Sequence, residues 1–466
     1  MKHSASLDMT RGSVTGKLLR LAWPVMAAHL LQTLYNLADA FWLGKLGRQS
    51  LVAPTISMNV VFIAMALAMG LGSAGTTLVS QFRGAGRDDL ARRAGGQTFL
   101  ILSVIGLILG VIGLVFAPAI LRLLNTPQDA FSETQTYLTW ILAGLPLMFP
   151  FFVYQGISTG LGNTVGPLQV SLVTVILNAL LDPLLIFGAG PIPALGVTGA
   201  AAATVFCHSL ASVIGTVRLF RGHSGFRLTA ASLRPEAKTI SRLLSIGLPV
   251  SLGQAGTSLG FTVLLGIVNS FGSAVTAAFG VGNRIIHLAL VPAMGLSQAN
   301  AAAVGQCLGA GLPARAAKST YRALLVIGLL LLPITVPMFF LGGAISGLFV
   351  NDPAVMEVSR NMFRITTPSV YAFGFVTVLF GSFQGSGFTL PVMVLNMARL
   401  WVMRIPLAYY LAFHTTMGMD GLWWAMFVSN VLTALAGGVW FAAGTWKTRS
   451  SKILASSTLA SEVALE

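Results

Sequence analysis

The sequence predicts an all-α polytopic membrane protein, with twelve transmembrane helices arranged as two pseudo-symmetric six-helix bundles. Three observations predict it: an apolar composition, twelve long apolar spans, and an internal repeat at a fixed offset of 225 residues. Hydrophobic residues make up 55% of the 466, charged residues only 9%, and the mean hydropathy is +0.81. A soluble domain carries about 25% charged residues, so a globular cytosolic enzyme is excluded. A membrane-crossing helix needs about 20 mostly apolar residues. Spans of that kind are centred near residues 31, 64, 106, 145, 177, 208, 256, 289, 331, 371, 401 and 432. All are too long, and too rich in Leu, Ala and Gly, for the strands of a barrel.

The repeat assigns six spans to each half. Leu18-Leu19 and Pro24-Val25 return as Leu243-Leu244 and Pro249-Val250, and Gly47 as Gly272. Met69-Gly70-Leu71 returns as Met294-Gly295-Leu296, and Gln81 with Gly84-Ala85-Gly86 as Gln306 with Gly309-Ala310-Gly311. Gly160 and Gly162 recur as Gly385 and Gly387, and Gly199 as Gly421 after a slip of three. A duplicated unit in so apolar a chain suggests two bundles with a central site. The expected organisation is an N-terminal lobe over 1–220, a basic cytoplasmic linker over 221–242, a C-terminal lobe over 243–446 and a disordered tail over 447–466.

The net charge of +15 is topological. Twelve spans put both termini and every even-to-odd connection on one face, which carries 20 of the 28 basic residues. They run from Lys2, Arg11, Lys17 and Arg20, through Arg83, Arg87, Arg92 and Arg93, to Lys447, Arg449 and Lys452. The other face has Lys45, Arg48, Arg122, Arg360 and Arg364. By the positive-inside rule the termini are expected to be cytoplasmic, in a plasma membrane (the inner membrane of a bacterium). No nucleic-acid partner is expected, and the lipid bilayer is the surrounding partner. The first span is long, contains Asp39 and lacks an A-x-A exit, so no cleavable signal peptide is expected. Cys207 and Cys307 fall inside apolar spans without metal spacing and read as small packing residues.

Of the 13 acidic residues, eleven are placed in tails and connections. Asp39 and Asp182 lie within apolar spans, where a mid-helix carboxylate costs about 2.5–3.5 kcal/mol. They are either neutral carboxyls bonded to neighbouring helices, or a functional site that is protonated, paired or wet. Asn178 precedes Asp182 by four residues, on the same helix face, and Pro183 follows, where it can open the helix. Gln32, Tyr35, Asn36 and Asp39 form one polar stripe on the first span, and Thr204 and His208 are four apart on the sixth. Such carboxyl, amide and hydroxyl oxygens can take up a proton or ligate a hard cation such as Na+. The spacing does not choose between the two.

The second half has no intramembrane carboxylate. It holds Arg284, Arg399 and Arg404 with Gln254, Asn283, His287 and Asn396, which either face an aqueous cavity or snorkel outward. Met58, Met65 and Met69 keep helical spacing, and Phe149, Phe151, Phe152 and Tyr154 crowd the fourth span. Soft methionine and aromatic walls suit a cavity for varied organic cations, and equally suit ordinary helix packing. The expected cavity lining is Gln32, Tyr35, Asn36, Met65, Met69, Tyr154, His208, Gln254, Asn283 and Arg404. No catalytic residue and no cofactor are assigned, and an enzyme is not expected.

These residues bring a family into view. Pro24, Asp39 and Gly44-Lys45-Leu46-Gly47 resemble the multidrug and toxic compound extrusion (MATE) transporters, as do Gln81-Phe82-Arg83-Gly84-Ala85-Gly86 and Ala91-Arg92-Arg93. Asn178 through Pro183 and Gly196 through Thr204 match as well, so the resemblance covers roughly residues 14–446. It implies a V-shaped pair of lobes and monomeric export of drug-like organic cations by alternating access, in exchange for H+ or, alternatively, Na+. In the prokaryotic DinF-like branch the acidic site lies in the N-terminal lobe. The resemblance carries its cation-coupling residues onto Asp39, Asn178, Asp182 and Thr204, also the ligands if the ion is Na+. The NorM-like branch places further acids on the seventh and tenth helices, and this chain has none there. Pro24 is the implied hinge, although Pro249 at the mirror position has no acid on its span.

Other readings compete. A flippase for lipid-linked oligosaccharides shares the architecture, but would want several cavity cations for a pyrophosphate. A twelve-helix facilitator of the major superfamily has a superficially similar loop at Arg83 to Arg93, without the repeat at Gly309-Ala310-Gly311. A channel or structural membrane protein would leave the paired acids unexplained. An ATP-driven pump would need a G-x-x-x-x-G-K-[ST] motif, which is absent from the sequence.

Overall fold

The computed structural model describes residues 7–188, 190, 193–222 and 225–448. The end of the expected tail, with Arg449 and Lys452, lies outside the described residues, as does Lys2. The described residues are helical throughout, without a strand. The helices are α1 Val14–Leu46, α2 Arg48–Gly84, α3 Asp88–Leu123, α4 Gln128–Gly160, α5 Val165–Phe187 and α6 Val197–Arg221. After a 3-10 turn at Ala230–Leu233 come α7 Ala237–Asn269, α8 Ser273–Gly309, α9 Pro313–Gly347 and α10 Pro353–Ser386. Then α11 Leu390–Met397, a π-helical segment Ala398–Arg404 and α12 Ile405–Phe413 form one continuous span, and α13 Asp420–Ala442 follows.

Among the described residues, eleven helices are long and apolar enough to cross a membrane. The twelfth helix, α1, is 33 residues long, yet falls short in apolarity. Its deficit comes from His29, Gln32, Asn36 and Asp39, so the polar stripe itself hides the span. Elsewhere the outward faces are greasy. Leu107, Val111 and Val115 on α3, and Leu325, Leu329, Leu332 and Phe340 on α9, are half to two-thirds exposed. Apolar surface on that scale is stable only against hydrocarbon. Of the acids expected in connections, Asp88 and Asp89 instead form the first turn of α3, where the helix dipole favours them.

The repeat is built into backbone geometry. After α2, Gly86 adopts φ 71° and donates to the Arg83 carbonyl while Arg87 N–H reaches Phe82; after α8, Gly311 at φ 70° and Leu312 repeat those two bonds to Leu308 and Cys307. Gly162 and Gly387 likewise end α4 and α10 in the left-handed region, which glycine enters without penalty. Pro24, Pro183 and Pro249 do not break their helices: α1, α5 and α7 run on past each of them. In a membrane, neighbouring groups and local adjustment satisfy the carbonyls a proline frees.

The chain forms two compact units. Ala27–Ser251 makes one; Met9–Met26 together with the chain from Leu252 onward makes the other. Two helices are therefore divided, α1 after Met26 and α7 after Ser251, each two residues beyond its proline. In the first unit α4 is central, packed by α2, α3 and α6. In the second, α10 takes that place among α8, α9 and α13. Close approach fixes the division. A Cβ on Gly70 of α2 would stand 2.6 Å from the Ser251 nitrogen and 2.7 Å from the Gly247 carbonyl of α7. On its repeat Gly295 of α8, a Cβ would stand 2.9 Å from the Met26 nitrogen of α1 and 3.1 Å from the Ala22 carbonyl.

Candidate ion and substrate site

In the first unit, α1, α4, α5 and α6 bring the intramembrane acids together. On α5, Ser171, Thr174, Asn178 and Asp182 recur at intervals of three and four residues and make one polar face. Asn178 Nδ2 donates to Asp182 Oδ1 at 3.0 Å, and both residues are fully buried. From α1, Tyr35 donates its hydroxyl to Thr204 Oγ1 of α6 at 2.8 Å, across 169 residues of chain. The Tyr35 ring also meets His208 edge-on, with centroids 5.6 Å apart. Asp39, one turn beyond Tyr35, is within reach of the charge on Asp182, and Tyr35 feels both acids. All four expected coupling residues, Asp39, Asn178, Asp182 and Thr204, thus belong to one cluster.

The cluster is rich in acceptors and poor in donors. Asp39 Oδ1, Asp182 Oδ2 and Asn178 Oδ1 are buried without a hydrogen-bond partner. An acceptor left unsatisfied in the interior costs about 1–3 kcal/mol. Three such oxygens in one cluster are chemically suited to accept a proton or another cation. Beside them a cavity of about 30 Å³ is lined by Gln32, Tyr35, Phe151, Thr174, Cys207 and His208, among others. Among the described residues no group of three or more His, Cys, Asp or Glu side chains has the arrangement of a metal centre.

Gln32 at the cavity donates to Asn36 Oδ1 at 3.3 Å along the exposed stripe of α1. Other expected lining residues are dispersed. Met69 is exposed and Met65 half-buried on α2. Tyr154 is not brought to the acids: it is buried at the other end of α6, where Arg218 donates to its hydroxyl at 3.3 Å and Gly215 lies against its ring. Gln254, Asn283 and Arg404 belong to the second unit. Arg404 neither snorkels nor faces an open cavity; it is 2% exposed and donates Nε to Ser429 Oγ at 2.9 Å.

Sequence reasoning missed two participants. Cys207 read as packing, yet it lines the cavity beside Asn178. Tyr137, buried on α4, lies within range of both acids. Extending the Asn178–Asp182 face back to Thr174 and Ser171 would have outlined more of the cavity. Nothing local marks Tyr137.

Known proteins share this fold. The MatE family model matches residues 24–184 and again 249–410, with starts separated by the offset of the internal repeat. The chain is 25% identical over 405 residues to a probable multidrug resistance protein, YoeA of Bacillus subtilis, covering 86% of this chain and 87% of the relative. It is 26% identical over 420 residues to an FAD transporter of Shewanella oneidensis, covering 90% and 92%. A solved structure described as the outward-facing conformation of a multidrug resistance MATE family transporter of the MOP superfamily superposes with TM-score 0.88 at 25% identity, covering 97% and 99%. Eleven membrane-crossing helices, the doubled match and this likeness make the chain an integral membrane protein, and it belongs to the MatE family of transporters.

Proposed function

We propose that the protein is a secondary antiporter that exports small organic compounds, often cationic, in exchange for an inward-moving cation. The observation that carries this reading is the trio of buried, partnerless oxygens on Asp39, Asn178 and Asp182. A carboxyl can accept a proton at one such oxygen, which makes H+ the favoured coupling ion. Na+, held by Asp39, Asp182, Asn178 and Thr204, is the alternative. Loading the cluster changes its charge and biases the equilibrium between inward- and outward-open states, provided that the ion binds one state more tightly. Pro24 is the hinge in this scheme. A cationic compound competes with the ion for the acid cluster and leaves when the ion arrives. The one-sided distribution of basic residues supports cytoplasmic termini, and the acid set supports a DinF-like placement within the family. Relatives named for multidrug resistance and for FAD support small-molecule cargo, and FAD, with its phosphates, widens the range beyond simple cations.

Transport in proteoliposomes tests the scheme, with proton and sodium gradients imposed separately. Asp182→Asn and Asp39→Asn are expected to lower gradient-driven efflux at least tenfold, with the variants folded and inserted. Undiminished efflux from both would sink the assignment. Drive by sodium alone would replace the proton.

A further inference from the structure

The second unit holds two buried cations that the scheme above does not use. Arg399 and Arg404 are 3% and 2% exposed, and neither has a carboxylate partner among the described residues. Both point at Asn430 Oδ1 of α13, Arg404 NH2 at 2.5 Å and Arg399 NH1 at 3.4 Å. Asn430 Nδ2 in turn donates to Ser369 Oγ of α10 at 3.1 Å, and the Arg399 guanidinium lies over the Phe373 ring, 4.4 Å from its centroid. Each guanidinium offers five N–H donors. Three hydrogen bonds serve the pair, and Arg399 Nε is buried with none.

The backbone is shaped to make this pair. Arg399 and Arg404 are five residues apart, which in an α-helix sets them about 140° apart around the axis. The π-helical segment Ala398–Arg404 has an i→i+5 register, which returns residues five apart to one face. The repeat adds a second observation. At the offset of 222 that carries Gly199 to Gly421, Asp182 falls on Arg404, and Cys207 and His208 fall on Ser429 and Asn430. The position that this offset pairs with a buried acid in one half carries a buried base in the other, and Cys207, beside Asn178 and Asp182, pairs with Ser429, which Arg404 bonds. Buried charge persists only when it is paired or hydrogen-bonded, and the guanidinium fork matches a pair of oxygens on a carboxylate or phosphate.

We propose that Arg399, Arg404 and Asn430 form an anion-binding site that accepts the carboxylate or phosphate group of a transported compound. The inference rests on the exporter reading for the carrier of the anion, and not on the coupling role of Asp39 and Asp182. The probe is a xanthene dye with a free carboxylate, compared with its methyl ester, each bound to purified full-length protein in phosphatidylcholine nanodiscs. Arg404→Gln and Arg399→Gln are expected to weaken the acid at least about tenfold, the worth of a charge-assisted hydrogen bond, and the ester less than about twofold. Should the glutamines fail to fold, Asn430→Asp serves in their place. It sets one carboxylate against both guanidiniums, so it should keep or raise the unfolding temperature while binding of the acid is lost. Phosphatidylglycerol that displaces the acid from wild type identifies a lipid headgroup as the natural anion, and no displacement identifies the exported solute. Asp182→Asn should still bind the acid while losing gradient-driven export, which separates failure of this site from failure of the coupling site. Equal loss of acid and ester in the glutamines, or wild-type acid binding by Asn430→Asp, would overturn the proposal.

Discussion

Tyr35 and Thr204 show what a single hydrogen bond contributes to the candidate site. The 2.8 Å bond joins α1 to α6 beside the acids, and no spacing rule relates residues 169 apart. Tyr35→Phe removes the donor, and Thr204→Val removes the acceptor with little change of shape. Each is expected to cost about 0.5–1.5 kcal/mol in stability and to lower transport several-fold. Because they act on one bond, the double variant should be little worse than either single one, which a double-mutant cycle on unfolding temperature and efflux measures. Full additivity would show that the two side chains act separately. Other site residues were legible beforehand because their relation is local. Asn178 and Asp182 are a turn apart on one helix, and the 3.0 Å bond between them follows from that spacing. The lining role of Cys207 was not legible, since its type and burial are those of a packing residue.

Among elements, the repeat explains both what could be read and what could not. Turns at Gly86 and Gly311, and at Gly162 and Gly387, were visible as recurring glycines because a positive φ restricts the residue type. The π-helical segment, which packs against α13, was not visible because its residues, Ala398 to Arg404, fit an α-helix equally well. The glycines at helix crossings give a direct test. Gly70→Val and Gly295→Val press a branched side chain against backbone of α7 and α1, and each should cost about 1–3 kcal/mol or more through forced separation of the helices. Gly266→Ala, where an added Cβ meets nothing within 4 Å, should be neutral or slightly stabilising. Thermal unfolding of the three variants in one detergent decides; equal midpoints would remove close approach as the reason for glycine at 70 and 295. Twelve spans could be counted from the sequence because polar residues in α1 stand on one stripe. A criterion of apolarity alone passes over that helix.

At the level of the molecule, two halves were legible but their exact membership was not. Sequence order puts the first span wholly with the first half, whereas contacts place Met9–Met26 with the chain after Leu252, and Ala237–Ser251 with the first unit. Segments this far apart in sequence meet through tertiary packing, which periodicity does not encode. A chain cut between Glu236 and Ala237 is therefore expected to yield halves that copurify when expressed together. Each is expected to be degraded or aggregated when expressed alone, as affinity capture through a tag on one half would show. A half that is stable and monodisperse alone would contradict the exchange.

That exchange also orders the birth of the protein. The ribosome releases Met9–Met26 first, but its neighbours in the second unit begin only at Leu252, so the earliest helix start waits through more than half of synthesis for its place. The first unit, nearly finished when α6 emerges, still lacks the opening turns of α7. Neither bundle closes before the chain has crossed its midpoint: the first waits for Ser251 and the second for α13. Membrane insertion and final assembly are thus separated in time, with the half-built first bundle the species most exposed to quality control.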